Sequence, residues 1–508
     1  MPLRWPPSKA GDKERALTRP YEPDAPVSAE EYLASQPPVL KVTDALRKIR
    51  ERVVASSRRV IVLDDDPTGT QTVHDVPVLT AWSYSELRWA LEQPNPVVYI
   101  LTNSRSLDEP DAAALNEQIG RRLRRAASDS ETRFVVVSRS DSTLRGHYPA
   151  ETDTLERELG VDFDGVILCP CFFEAGRVTL DDVQWVRQGG ELVPAALTEF
   201  ATDTTFGYSS SNLAGWIEEK TGARTPAESV LRVGIADIRE GGPERITALL
   251  QGARDAQPIV VNAAEYADLE VFVLGLLEAE ATGKSFLYRT GPSFVRVRGG
   301  IPERPPLEAR DLYQRYIGGR HGLVLVGSHV RQTTRQLRAA KKLDGLRAVE
   351  LSVTRILDPE RRTEELDRVV RLVNEMLSGA DVIVYTSREV VSASGDLSGL
   401  EIGSAVSAAL VDVMRRVDRG LKLGFVVAKG GITSSDVVTK GLGVRRADVA
   451  GQMLQGIVSA WILPEDSNYP GLPYVVFPGN VGDEDALAQV IQKLRGARSG
   501  NDGQGGEQ

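Results

Sequence analysis

Cysteine is nearly absent. Two residues in 508, Cys169 and Cys171, exclude a disulfide framework, and four histidines leave little for a His/Cys metal site. Long apolar runs are missing too. The longest, such as Gly165–Cys169 and 271–277, have the length of a strand or a short helix, well short of the roughly 18 residues a membrane span needs. There is no basic excess: 61 Lys plus Arg stand against 71 Asp plus Glu, a net charge of −10, which argues against nucleic acid held on a basic face. The opening MPLRWPPSKAGDKERA has proline and charge where a secretory leader has an apolar stretch. The expectation is a cytoplasmic protein with no membrane and no nucleic-acid partner. What is present, 41% hydrophobic and 26% charged residues, is ordinary globular composition, and the length suggests two or three domains at ~150 residues each.

Residues 1–38, rich in Pro, Arg and Glu, lack any period and read as an extended arm. From residue 39 short β-branched runs alternate with helical stretches. Residues 59–65, 96–102, 133–139 and 165–170 read as buried strands, and 111–127 as an amphipathic helix with Leu115, Ile119 and Leu123 at steps of four. The Gly/Pro cluster GGIPERPPLEAR marks a linker within 299–320. The alternation then restarts over 321–497, with helices from about 332 and over 364–377, 403–417 and 483–494, and a further helix between the strands at 423–431 and 473–480. Residues 498–508 read as a disordered tail. The fold class is therefore α/β with two domains, each a mostly parallel sheet covered by helices.

In such sheets ligands sit outside the carboxyl ends of the strands, so the residues just after each strand carry the information. The first strand of the 39–298 domain ends in Asp64-Asp65-Asp66-Pro67-Thr68-Gly69-Thr70. The second ends in Thr102-Asn103-Ser104-Arg105, and the third in Ser138-Arg139-Ser140-Asp141-Ser142-Thr143-Leu144-Arg145-Gly146-His147. Carboxylates beside a Thr-Gly turn suit a hydroxyl-bearing substrate, and arginines supply the fork that pairs a carboxylate. Each cluster alone also reads as helix caps and solvated charge; three at successive strand ends favour a site. A fourth segment, Cys169 to Arg177, reads as two small buried thiols followed by an arginine after a glycine turn.

In the second domain Gly327-Ser328, Lys429-Gly430-Gly431-Ile432-Thr433 and Phe477-Pro478-Gly479-Asn480-Val481-Gly482 follow strands. Together they suit a nucleotide's phosphates, although a plain N-cap explains Thr433 alone. Gly283-Lys284-Ser285 is a decoy: a P-loop's first glycine would fall at Glu278, and the segment follows a helix and precedes a strand. It reads as a helix end. No GxGxxG follows a strand, so a nicotinamide cofactor has no support.

These clusters resemble the four-carbon acid sugar kinase family. Its DDxTG corresponds to Asp65-Asp66-Pro67-Thr68-Gly69, its DSTxRG to Asp141–Gly146 in Asp141-Ser142-Thr143-Leu144-Arg145-Gly146, and its GR segment to Gly176-Arg177; Asp203 stands where the family has an acidic residue. The resemblance implies ATP-dependent phosphorylation of a small sugar acid, with ATP and Mg²⁺ as cofactors and the active site in the interdomain cleft. It implies a base among Asp65 and Asp66, with Asp141 as a further candidate. Thr68, Arg105, Arg139, Arg145 and Arg177 would bind the acid. Ser328, Gly430, Gly431, Ile432, Thr433, Gly479, Asn480 and Gly482 would hold the nucleotide, and no metal ligand is assigned. The family's usual Glu in the GGxT turn is Ile432 here, and its Lys-Ser is Phe477-Pro478. The alternative is a regulatory, non-catalytic sugar-acid-binding protein with a degenerate ATP half. The oligomeric state is open, a homodimer included.

Overall fold

The computed structural model describes residues 21–313, 318–388 and 399–496. The N-terminal half contributes β1 (Val27–Ser28), β2 (Arg58–Asp64), β3 (Val76–Leu79), β4 (Val97–Leu101), β5 (Arg133–Arg139), β6 (Gly165–Cys169), β7 (Arg177–Leu180), β8 (Val183–Gln188), β9 (Glu191–Pro194), β10 (Leu231–Val233), β11 (Gln257–Val261) and β12 (Phe286–Thr290). The C-terminal half contributes β13 (His321–Val326), β14 (Leu346–Leu351), β15 (Asp381–Thr386), β16 (Leu423–Lys429), β17 (Arg446–Leu454), β18 (Val458–Ile462) and β19 (Pro473–Phe477). Runs such as Val-Ile-Val-Leu in β2 are buried on both sides, as strands of a parallel sheet covered by helices must be. The helices Glu109–Asp129 and Ala150–Leu159 supply one cover, laying Ile119, Leu123, Leu155 and Leu159 on Ile61 and Leu63. The first of them starts where Asp108 accepts the Asp111 N–H at 3.0 Å.

The sheet order is β10-β11-β6-β12-β5-β2-β4-β3-β17-β18-β19-β16-β13-β15-β14. Neighbours from β10 to β3 are parallel, and so are neighbours from β19 to β14, which is the expected α/β architecture in each half. The two sheets are nevertheless one. β3 pairs antiparallel with β17, Val76 opposite Val449, and the β17–β18 hairpin passes the sheet on to β19. One apolar cluster runs across both halves on one face, containing Val62, Tyr99, Leu323 and Trp461; the other face has a separate cluster in each half.

The hairpin is a correction to the sequence reading, which placed only a helix between β16 and β19. That helix exists, Gly431–Asp436, but β17 and β18 follow it. The register of β17 shifts around Gly451, whose φ is 143°, so no clean alternation survives in the sequence. A second antiparallel sheet, β1-β9-β8-β7, was also unread. Its β7–β8 turn is Asp181-Asp182, both at positive φ (51° and 63°), the two-residue turn that matches hairpin twist.

The segment read as an extended arm is docked over its described part. β1 pairs with β9, the helix Ala29–Ala34 follows, and Tyr32 packs on Trp185 at 5.3 Å. Residues 1–20 of that arm and the tail from 498 lie outside the described residues. The Gly283-Lys284-Ser285 decoy is a helix end, as read: Lys284 N–H donates to Ala279 O at 3.1 Å, and Gly283 has φ 107°. Cys169 and Cys171 are buried free thiols. Among the described residues no helix is long and apolar enough to cross a membrane.

The helix Tyr266–Ala281 is fixed by a buried ion pair. Arg239 Nε and Nη2 donate to Asp268 Oδ1 and Oδ2 at 2.8 and 2.9 Å, while Nη1 reaches Pro37 O at 2.8 Å. Asp268 also accepts the Ala264 and Glu265 N–H groups that begin the helix. Arg239→Met strands that carboxylate, and chemical denaturation should register a loss of ~3–5 kcal/mol. A loss under about 1 kcal/mol would assign the clamp to the backbone donors alone.

Candidate functional site

β2 ends at Asp64, and the chain turns immediately. Asp64 is fully buried (0% exposed) and Asp65 nearly so (3%), while Asp66 sits half-buried in the turn. The Asp64 carboxylate lies over Gly69, where any Cβ would run into it; that contact is the reason for the glycine. Asp66 closes the turn, accepting Thr68 N–H at 2.7 Å and Thr68 Oγ1–H at 2.5 Å on Oδ1 and pairing Arg105 through Oδ2. Arg105 is set by the short turn Ser104–Ser106, whose Asn103 has φ 52°, and its N–H donates to Asp65 O at 3.2 Å.

The third cluster closes around the first two. Arg139 Nη1 donates to Asp64 Oδ1 at 2.9 Å and lies 3.6 Å from Asp65 Oδ1. Asp141 takes Arg145 Nε at 2.7 Å, stands 3.5 Å from Arg105 Nη1, and accepts the Thr143 hydroxyl. Arg145 also lies 3.6 Å from Asp203, so that acidic residue joins the same network. Arg145 and Arg177 both face the Phe200 ring, at 5.0 and 5.8 Å. Arg177 donates to Ala175 O, and its Nε has no partner. All eight sequence-predicted residues of this half are thus brought together.

The carboxylates differ in basicity. Burial pushes Asp64 and Asp65 up to about 6, with Arg139 and Arg105 opposing it. Burial acts on Asp141 too, but Arg105, Arg145 and Thr143 outweigh it and hold that group well below the usual carboxylate range. Neither oxygen of Asp65 has a hydrogen-bond partner.

In the other half three neighbouring parallel strands, β13, β16 and β19, end side by side, and their turns interlock. A Cβ at Gly327 would run into Thr433 Oγ1, and one at Gly479 would stand 2.7 Å from Ser328 Oγ. Gly430 has φ 120° and faces Ser328 and Thr433. Thr333 ties the group by donating to Gly479 O at 2.7 Å. Gln332 donates to Gly482 O at 2.7 Å. Gly431 has open space around it, and Ile432 (39% exposed) and Asn480 are exposed. The two departures from the family pattern leave the turns intact. Ile432 points away from them, and the Phe477-Pro478 turn is held by Lys429, fully buried, donating to Pro478 O at 2.9 Å over the Phe477 ring. Burial, helped by Arg388, pushes the Lys429 ammonium down to about 7. Arg388 donates to Ser328 O at 2.6 Å, while its buried Nε and Nη2 lack partners, an arrangement that fits an anion.

The hairpin is the common wall of the two clusters. Thr70, two residues after Thr68, meets Ser459 Oγ at 3.0 Å and accepts Trp461 Nε1–H at 3.1 Å. Ser459 pairs with Val476, next to the Phe477 turn. At the hairpin tip Gly456 presses on Glu174, and Ile457 Cδ1 comes 3.7 Å from the place of a Gly482 Cβ. Sequence reasoning missed this wall, the Asp64 pair with Arg139, and the roles of Lys429 and Arg388. Asp64 was signalled by the run of three aspartates; the hairpin had no signal.

Comparison with known proteins agrees with this layout. Residues 60–298 match the model of a sugar-binding N-terminal domain, and 323–487 that of a nucleotide-binding C-terminal domain. The chain is 24% identical to a D-erythronate kinase of Heliobacterium modesticaldum over 461 residues, covering 86% of this chain and 97% of the relative. It is 25% identical to a D-threonate kinase of Bordetella bronchiseptica over 450 residues, covering 86% and 98%. A 3-oxo-isoapionate kinase of Paraburkholderia graminis matches at 27% over 237 residues, 44% of this chain and 48% of that one. Solved proteins from Salmonella typhimurium (TM-score 0.62, 18% identity, 86% and 99% covered) and Haemophilus influenzae (0.58, 18%, 85% and 100%) share the fold. With both halves matched in order and the strand-end clusters in place, the chain belongs to the four-carbon acid sugar kinase family.

Proposed function

We propose that the protein transfers the γ-phosphoryl group of ATP to a hydroxyl of a four-carbon sugar acid. The observation that carries this reading is the shared hairpin wall, with a buried carboxylate lacking partners on one side and interlocked glycine turns on the other. The names of the relatives, kinases of D-erythronate and D-threonate, support the substrate class.

Phosphoryl transfer asks the protein mainly for alignment, charge neutralisation and a base near the attacking hydroxyl. Asp65 is the base in this reading. Its lone pairs are unfilled, and a carboxyl near 6 is ionised at neutral pH yet more basic than an exposed one. Its oxygens are buried, with Gly146 packed beside Oδ2. Asp66 builds the turn. Asp141, held strongly acidic by its arginines, orients Arg105 and Arg145 rather than taking a proton. Arg177, which has no carboxylate within ion-pair distance among the described residues, receives the substrate's acid group. The first-turn amides at Gly431–Thr433 and the Gly479–Gly482 turn, with Arg388, receive the phosphates, while the Gly430 N–H is spent on Phe477 O at 2.8 Å. No group of three or more His, Cys, Asp or Glu side chains is placed to hold a metal among the described residues. Mg²⁺ would ride largely on the phosphates, as it commonly does, and there neutralise their charge.

Three outcomes are expected. ADP should form only when a short polyhydroxy acid is supplied; a coupled assay giving the same ADP rate with and without every C4 acid tested overturns the reading. In Asp65→Asn kcat should fall ~10²–10⁴-fold with the acid still bound, and the wild-type rate should fall off below about pH 6, where Asp65 takes up its proton. Asp66→Asn, which keeps the turn's acceptor, should lose far less, and near-normal kcat in both variants removes Asp65 from the role. Arg177→Lys keeps charge but loses the fork, so KM for the acid should rise while KM for ATP stays put. A change confined to thermal stability would make Arg177 structural.

A further inference from the structure

Behind Asp65 the sheet holds another buried charge, Arg289 of β12. Leu63 of β2 pairs with Ser138 of β5, Ser138 with Arg289 of β12, and Arg289 with Leu168 of β6. Paired residues share a face, so Leu63, Ser138, Arg289 and Leu168 project together, and Asp65, just past the end of β2, has its carboxylate 3.6 Å from Arg139 Nη1 and across Gly146 from Arg289. Asp64, Arg139 and Thr290 take the other.

Arg289 is 4% exposed. Its guanidinium lies 5.3 Å from the Tyr148 ring and 5.8 Å from the Trp216 ring. The carboxylate within ion-pair range is Glu151, at 3.9 Å, and neither Arg289 Nη1 nor Glu151 Oε2 makes a hydrogen bond. Glu151 is held elsewhere, through Oε1, by Ser104 Oγ at 2.5 Å and Asn116 Nδ2 at 3.3 Å. Between Asp65 and Arg289 stands Gly146, at φ 119°: a Cβ there would be 3.2 Å from Asp65 Oδ2 and 3.4 Å from Arg289 Nη2. A buried guanidinium so loosely paired is costly for stability alone. Its place directly behind a carboxylate with unfilled lone pairs gives it a use.

We propose that Arg289 is a positioning residue for Asp65, balancing that carboxylate's charge through space from behind Gly146 without touching substrate. The proposal rests on Asp65 being the base. The groups facing Asp65 are Asp64 of β2, Arg105 after β4, Arg139 of β5, Glu151 of the helix Ala150–Leu159 and Arg289 itself. Those facing Arg289 also include Tyr148, Asp141 and Lys220. Removing the cation leaves Asp65 beside Glu151 and Asp64 with less compensation, so its proton affinity rises.

Steady-state kinetics across pH in Arg289→Met, Arg289→Lys and Asp65→Asn test this. In Arg289→Met kcat should fall about tenfold or more with both KM values little changed. The acidic limb of its kcat profile should move up by about one pH unit. Arg289→Lys, which keeps the charge, should keep the limb near its wild-type position. A folded Arg289→Met with the wild-type limb and kcat overturns the proposal, and so does a rise in KM for the acid, which would make Arg289 a substrate contact. If Arg289→Met does not fold, Arg289→Met/Glu151→Gln removes the stranded charge: lower kcat at unchanged KM supports the role, and wild-type kcat overturns it. Near-normal kcat in Asp65→Asn defeats the base assignment; loss there with a normal Arg289→Met defeats only the positioning role.

Discussion

The site depends on balancing charge where water does not reach. A buried parallel strand ends in three aspartates, two of them within the protein, and an uncompensated carboxylate there is costly. The carboxylates of the cluster are compensated differently. Asp64 has a direct arginine partner, Asp65 has only a flanking one, and Asp141 on the next strand is surrounded by donors. Those differences separate a carboxyl that can exchange a proton near neutral pH from one that stays ionised.

The same constraint explains the glycines. Gly69 makes room for the Asp64 carboxylate, and Gly146 takes a left-handed conformation between Asp65 and Arg289. In the C-terminal half Gly327, Gly430 and Gly479 let three turns approach closely enough for Ser328 and Thr433 to pack between them. Backbone, rather than side chain, then lines the place where an anion would sit.

Joining the halves through one sheet puts β17 and β18 between the two strand-end clusters. Phosphoryl transfer needs two ligands aligned away from water. The tip of the hairpin lies against Glu174 on one side and Gly482 on the other, so one element connects the two clusters. Thr70 ties the aspartate turn to that hairpin through Ser459 and Trp461.

By itself the sequence determined what is local. Continuous β-branched runs required buried parallel strands, and the stepped apolar residues of 109–129 required a covering helix. The order of polar clusters after strands pointed to residues that the structure brings together, and the glycine after the helix Tyr266–Ala281 exposed the false phosphate loop. Only the tertiary structure decided which aspartate is left unfilled, because that depends on Arg139, Glu151 and Arg289, contributed by three other elements. It alone decided that the two sheets are one, because the β3–β17 pairing joins residues some hundreds apart through backbone groups that carry no side-chain signature. Charge balance and strand pairing are properties of neighbours in space, and a pattern along the chain cannot encode them.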